Sequence, residues 1–329
     1  MASLTGHAGA YGSIMRPLTT GLLCATIFFG TACTDSGTVA LSNIQNTGEP
    51  IEIPGETIHL QFDGDLGPLP RKDVDRWIHT AAAAVQHYFG HFPVKQLDLH
   101  VRLKNGTKVE GGVTYDGRRI DISIGTDIAT EYLDADWTLT HEMFHLAFPD
   151  LDQKHVWMNE GLSTYLEPIA RTRVGNMSIE QFWRETLAGM PDGLPEAGDR
   201  GLDRTHSWGR TYWGGAMFWF IADVKIREQT DGRKSLDDSI RAILAAGGDG
   251  SVRWPIAQVI DVGDRATGTS VLAKLYEEMG TNAVSPDLPD LWKRLGVSLR
   301  GDRVLFDDHA PLTQVRVGLT KRDAGKKGM

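Results

Sequence analysis

Residues 136–167 read DWTLTHEMFHLAFPDLDQKHVWMNEGLSTYLE, placing His141-Glu142-Met143-Phe144-His145 shortly ahead of Asn159-Glu160-Gly161. Histidines at i and i+4 share one face of an α-helix, with Cβ atoms about 5–6 Å apart, so two imidazole nitrogens can meet one metal ion. Glu142 is rotated off that face by one residue, beside such an ion rather than on it, where a carboxylate can hold a water. The local signals favour a helix. Asp136 can cap its start, Trp137, Leu139, Phe144, Leu146 and Phe148 surround the histidines with apolar surface, and Pro149 stops it. The spacing of Trp157, Leu162, Tyr165, Leu166 and Ile169 predicts a second helix over about 156–171, with Glu160 in its first turns. Two histidines, a third carboxylate and a spare glutamate are the parts of a zinc site with a general base. The pentapeptide alone leaves open a helix with two surface histidines that bind nothing.

THEMFH and VWMNEGLSTYLE together resemble the gluzincin metallopeptidases, the clan of thermolysin, aminopeptidase N and the glycyl aminopeptidases. The resemblance implies a thermolysin-like zincin core of α+β class: a mixed sheet lobe with an edge strand, an active-site helix and a mostly helical C-terminal lobe. It further implies one zinc per chain held by His141, His145 and Glu160, Glu142 as the base, and a peptide or protein substrate. Trp157, Asn159, Glu160, Gly161 and Tyr165 match the aminopeptidase branch better than the thermolysin branch, although the gap from His145 to Glu160 is shorter than the familiar aminopeptidases show. From Tyr212, a tyrosine, two residues, Gly215-Ala216 and an apolar run are similar to the tyrosine segment of those aminopeptidases. In that family the phenol donates to the oxyanion of the intermediate, which makes Tyr212 a candidate catalytic residue; the other reading of Tyr212, Trp213 and Trp219 is ordinary core. His206 and Arg210 are weaker candidates for binding a substrate carboxylate or carbonyl, against a structural or surface role.

Upstream, a strand over 58–62, a helix through Val74, Trp77, Ile78, Ala81, Val85 and Tyr88, and alternating strands over 97–103 and 119–124 are expected. Between those last strands, Gly111-Gly112-Val113 stands roughly where the aminopeptidases carry Gly-Ala-Met-Glu-Asn, but no Met-Glu-Asn follows. The glutamate that would grip a free substrate amine is missing from that position, so endo- versus aminopeptidase action is undecided. The segment reads either as a substrate-facing edge or as a plain glycine hairpin. Downstream, Ser178 caps a helix over 177–188, and 189–204 reads as a loop. Helical spacing recurs around 240–244, 271–279 and 288–295, with short strands expected near 304–306 and 315–319.

The formal net charge of −9 gives no reason to expect a nucleic-acid partner, and 41% hydrophobic residues suffice for a substantial core. Residues 1–33 differ from the rest: Arg16 precedes the apolar run 18–29, then Gly30-Thr31-Ala32-Cys33. This pattern reads as a secretory signal and resembles a bacterial lipoprotein cleavage site, with Met15 an alternative start. A plain cleaved signal or a membrane anchor, with Cys33 incidental, is the other reading. The chain is therefore expected to be exported to the cell envelope, in the periplasm or tethered through a lipidated Cys33. The only other cysteine, Cys24, lies inside the signal, which excludes disulfides and a thiolate metal site. Residues 34–55 then read as a linker, 56–172 as the sheet lobe with the zinc-binding helices, 173–320 as the helical lobe and 321–329 as a basic tail. Nothing in the sequence fixes an oligomeric state. Two rival classes remain: a catalytically inactive zinc- or peptide-binding envelope lipoprotein, and an envelope structural protein.

Overall fold

The computed structural model describes residues 48–321. The expected signal, Cys33 and the tail beyond Lys321 lie outside the described residues.

A five-stranded mixed sheet comes first: β1 Glu49–Ile53, β2 Glu56–Asp63, β3 Gln96–Lys104, β4 Val109–Tyr115 and β5 Arg119–Gly125. Its spatial order is β1-β2-β3-β5-β4, with β2–β3 and β3–β5 parallel and the two outer pairs antiparallel. A parallel pair needs a crossover, and β2 returns to β3 through helix α1 (Arg71–Phe89). Pro70 stands just before that helix and Gly90, at φ 82°, ends it in the left-handed conformation. One sheet face, with Ile58, Leu60, Leu97, Leu99, Val101, Ile120, Ile122 and Ile124, is buried. Strand β4 occupies an edge.

The histidine pair lies on α3 (Thr138–His145), preceded by the short α2 (Thr130–Asp134), and Glu160 lies on α4 (Val156–Val174). Helix α3 packs on β4 and β5, while α1 packs on both α3 and α4. The remaining helices are α5 (Ile179–Gly189), α6 (Gly215–Gln229), α7 (Leu236–Ala245), α8 (Ile256–Thr267), α9 (Val271–Leu275), α10 (Leu288–Leu295) and α11 (Thr313–Thr320). A two-stranded hairpin, β6 (Val297–Arg300) and β7 (Arg303–Phe306), interrupts them. The chain is therefore α+β, a sheet with helices followed by a mostly helical part. No helix among the described residues is long and apolar enough to cross a membrane.

Several details differ from the sequence reading. Glu49–Ile53, inside the stretch read as a linker, pairs with β2 as a strand. Helix α3 ends at His145, ahead of Pro149, and α4 runs on past residue 171 to Val174, with Pro168 inside it. Residues 315–319 form part of helix α11 rather than a strand, because Val315 and Leu319, four apart, are buried together while Val317 is exposed. Helix α8 was not anticipated, although Pro255 before it, Gly268 after it and Ile256, Val259 and Ile260 at helical spacing are its signals.

Helices α4 and α6 approach closely. A Cβ on Gly161 would fall inside the backbone of Gly215, and one on Gly215 would collide with the Trp157 carbonyl. Trp219 Nε1 donates to the Met158 carbonyl at 2.8 Å across the same joint. Only glycine at both positions permits this approach.

Candidate metal centre

Trp137, not Asp136, takes the cap position of α3, but Asp136 just ahead of it still holds the helix start. Its Oδ2 accepts from the Leu139 backbone N–H at 3.1 Å and from Trp77 Nε1 at 2.9 Å, tying the helix start to α1. Burial raises the pKa of this carboxyl, and those donors work in the opposite direction.

From that start the helix presents His141 and His145 side by side, ring centroids 4.9 Å apart at 80°. Glu160 reaches across from α4. Its Oε2 lies 3.3 Å from His141 Nε2 and 3.5 Å from His145 Nε2. One ligand atom from each of the three residues lies within 4.8 Å of the others, the one such group among the described residues. On the far side of its ring, His145 Nδ1 meets Asn159 Oδ1 at 2.7 Å and Ser163 Oγ at 3.2 Å. With its proton on Nδ1, donated to Asn159, the Nε2 lone pair points into the group. His141 Nδ1 is buried with no partner of this kind.

The charge balance points the same way. Burial disfavours the charged form of His145, yet Glu160 outweighs it and lifts its pKa to about 9. Burial likewise works against the Glu160 carboxylate, and the two imidazoles hold its pKa well below the usual range. The space between these side chains favours positive charge. Two imidazole nitrogens and one carboxylate oxygen suit a zinc ion with a further position open, so the residues present fit such an ion.

Glu142 is 7% exposed and turns towards β4, where Thr114 Oγ1 donates to its Oε2 at 2.7 Å. It follows His141 on α3, and its charge raises the pKa of both His145 and Tyr212. Tyr212 sits on a π-helical turn, Arg210–Gly214, an irregularity frequent at functional sites. Its ring lies 6.2 Å from that of His141 and stacks on Trp208 at 5.9 Å. Burial, then the charges of Glu160 and Glu142, then a hydrogen bond to Glu160 hold the phenol protonated well above its ordinary range. The structure thus brings His141, His145, Glu160, Glu142 and Tyr212 together.

Arg210 does not join them. It is buried in an ion pair with Asp199 at 2.8 Å and donates to the Gly193 carbonyl, so it fixes the irregular loop 194–206. His206 is exposed. Sequence reasoning gave no role to Asn159, although it adjoins Glu160, or to Asp203, which no local pattern marks. Asp203 accepts from Trp157 Nε1 at 2.8 Å and Tyr276 OH at 2.7 Å and pairs with His155 Nδ1 at 2.8 Å, anchoring the start of α4. Burial opposes its charge, but these partners prevail and lower its pKa.

No family model matches this sequence, and no curated protein does. Among solved structures, the chain is similar to an aminopeptidase N family protein from Idiomarina loihiensis, at 16% identity and TM-score 0.56, covering 77% of this chain and 49% of that one. It is also similar to an M1 zinc metallopeptidase from Deinococcus radiodurans, at 14% identity and TM-score 0.48, covering 73% and 52%. A third is native yeast LTA4 hydrolase, at 15% identity and TM-score 0.48, covering 76% and 44%. The chain spans about half the length of these proteins. At the level of fold the resemblance read from the two helical segments holds: this chain folds like the aminopeptidase N family protein.

Proposed function

We propose that this chain is a zinc-dependent peptidase of gluzincin type, with a thermolysin-like arrangement of edge strand, histidine helix and glutamate helix. The observation that carries this reading is the convergence of His141, His145 and Glu160 within 4.8 Å, with Glu142 and Tyr212 beside them. His141 Nε2, His145 Nε2 and Glu160 Oε2 would hold the ion. Zinc bound there supplies Lewis acidity to a scissile carbonyl and lowers the pKa of water towards neutrality. Glu142 takes a proton from the attacking water at its carboxylate and returns it to the leaving amine nitrogen as the C–N bond breaks. The Tyr212 phenol, held protonated by its surroundings, donates to the developing oxyanion. Asn159 keeps the His145 ring in the tautomer that leaves Nε2 free.

Two measurements test this. Metal analysis of the purified protein is expected to give about one zinc per chain, lost in His145→Ala. A peptide library is expected to be cleaved by wild type and left intact by Glu142→Gln, and the cleavage pattern separates endo- from aminopeptidase action. Zinc retained, with wild type and Glu142→Gln alike on the library, would leave an inactive zinc- or peptide-binding protein and end the enzyme reading.

We further infer a place in the cell envelope, exported and tethered through Cys33, from the basic, apolar and small-residue order of residues 16–33. Membrane fractionation of the full chain against Cys33→Ala tests it: unchanged partition would remove the lipid anchor and leave the plain signal.

A further inference from the structure

We propose that Thr114 on the edge strand is the residue that positions the Glu142 carboxylate, using space that Gly112 leaves open beside it; the claim rests on the peptidase reading above. Strand β4 pairs with β5 so that Gly112 lies opposite Ile122 and Thr114 opposite Ile120. Side chains two apart on a strand share a face, so these two positions point together towards α3. Val113, between them, is turned to the other face and is half exposed.

Gly112 and Thr114 treat Glu142 differently. An ideal Cβ on Gly112 would lie 2.6 Å from Glu142 Cγ, 3.0 Å from Cδ and 3.1 Å from Oε1. The side chain of Glu142 therefore lies flat against a bare Cα, and any larger residue would push it away. Thr114 Oγ1 lies 2.7 Å from Glu142 Oε2 and 2.9 Å from the Glu142 carbonyl oxygen. A hydroxyl carries one proton and a carboxylate is the stronger acceptor, so the hydrogen bond goes to Oε2. A β-branched side chain has few rotamers, which makes Thr114 a stiff donor. One carboxylate oxygen is thereby fixed by the strand, and Oε1 remains to take a proton.

No glutamate follows Val113; the residue there is Thr114, and its hydroxyl is engaged with the Glu142 carboxylate. Strand β4 thus acts on the chemistry itself as well as forming an edge.

The test compares Thr114→Val, which keeps the shape and removes the hydroxyl, with Thr114→Ser, which keeps the hydroxyl, and with Gly112→Ala. Partners that orient a reacting group are worth about 10–100-fold. We expect Thr114→Val to lower kcat by about that factor with KM and zinc content unchanged, and Thr114→Ser to restore most of it. Gly112→Ala is expected to lower kcat likewise. A second readout needs no turnover: in zinc-free protein with 13C-labelled glutamate, the Glu142 carboxyl resonance, assigned by its loss in Glu142→Gln, should shift in Thr114→Val and return in Thr114→Ser. An unmoved resonance, or full kcat in Thr114→Val, overturns the role of Thr114. Wild type inactive on every peptide would instead end the peptidase reading and this role with it.

Discussion

Around Asp223 each buried charge meets an opposite charge or a donor within the protein, whereas around Glu160 three ligand atoms face one another. Asp223 accepts from Arg227 Nε at 2.8 Å, Tyr165 OH at 3.0 Å and the Leu236 backbone N–H at 2.9 Å. Close by, Arg173 pairs with Asp237 at 2.7 Å and also donates to the Leu319 carbonyl. That network is closed, and it ties α4, α6, α7 and α11 together. At the other cluster, the nitrogens that face Glu160 lower its pKa, and Glu160 raises that of His145 to about 9, so a positive charge is wanted there. A buried ionic network with matched partners is framework; one whose lone pairs converge is a site.

Removing the cation should have the largest effect and act on one cluster only. Chelation is expected to abolish peptide cleavage and zinc to restore it, while far-ultraviolet dichroism stays unchanged. Loss of the fold on chelation would make the cluster structural. The mirror experiment breaks the closed network: Asp237→Ala leaves Arg173 buried without its carboxylate and should cost about 3–5 kcal/mol in denaturant unfolding. Zinc stoichiometry of its folded fraction should stay at one, and loss of zinc would show the two clusters to be coupled.

Smaller changes sharpen the contrast within the site. Tyr212→Phe is expected to lower kcat by about 10²–10³, the range for one oxyanion donor, with zinc content intact. If kcat stays within a few-fold, the tyrosine is core packing. In zinc-stripped protein, His145 has its pKa raised from 6.5 to about 9, so its ion pair with Glu160 stabilises the fold fully below pH 6.5. That contribution is lost as the pH rises through about 9. Glu160, with a lowered pKa, contributes above its ordinary 4.5 and ceases to as the pH falls through its folded value. The stripped protein should therefore lose stability from pH 6.5 to 9 more steeply than stripped Glu160→Gln, and parallel curves would contradict the pairing. The smallest effect belongs to Asn159→Ala, with zinc affinity about ten-fold weaker; unchanged affinity would mean that Ser163 alone orients the ring.

The histidine helix and its partner were legible because i, i+4 geometry converts spacing directly into a shared face, and because Trp157, Leu162, Tyr165, Leu166 and Ile169 recur at helical spacing around and after Glu160. The glycine segment 111–114 was legible only as two alternatives, since its meaning depends on which strand it pairs with and which helix lies beneath. Val315-Arg316-Val317-Gly318-Leu319 alternates like a strand in sequence, and tertiary burial of Val315 and Leu319 made it a helix. For Arg210 the sequence left a substrate contact beside a structural role, and the structure takes the second; which partner it would meet was not legible, because Asp199 approaches through an irregular loop that no periodicity describes. Asp203 was hidden for the same reason.

The crossing at Gly161 and Gly215 has a consequence for how much error the clustered side chains can tolerate. Glu160 immediately precedes one glycine and Tyr212 lies three residues before the other, so carboxylate and phenol ride on a single rivet. Any side chain added at that rivet would spread the two helices and displace both groups at once, which makes a pair of chemically silent residues the tolerance limit of the whole assembly.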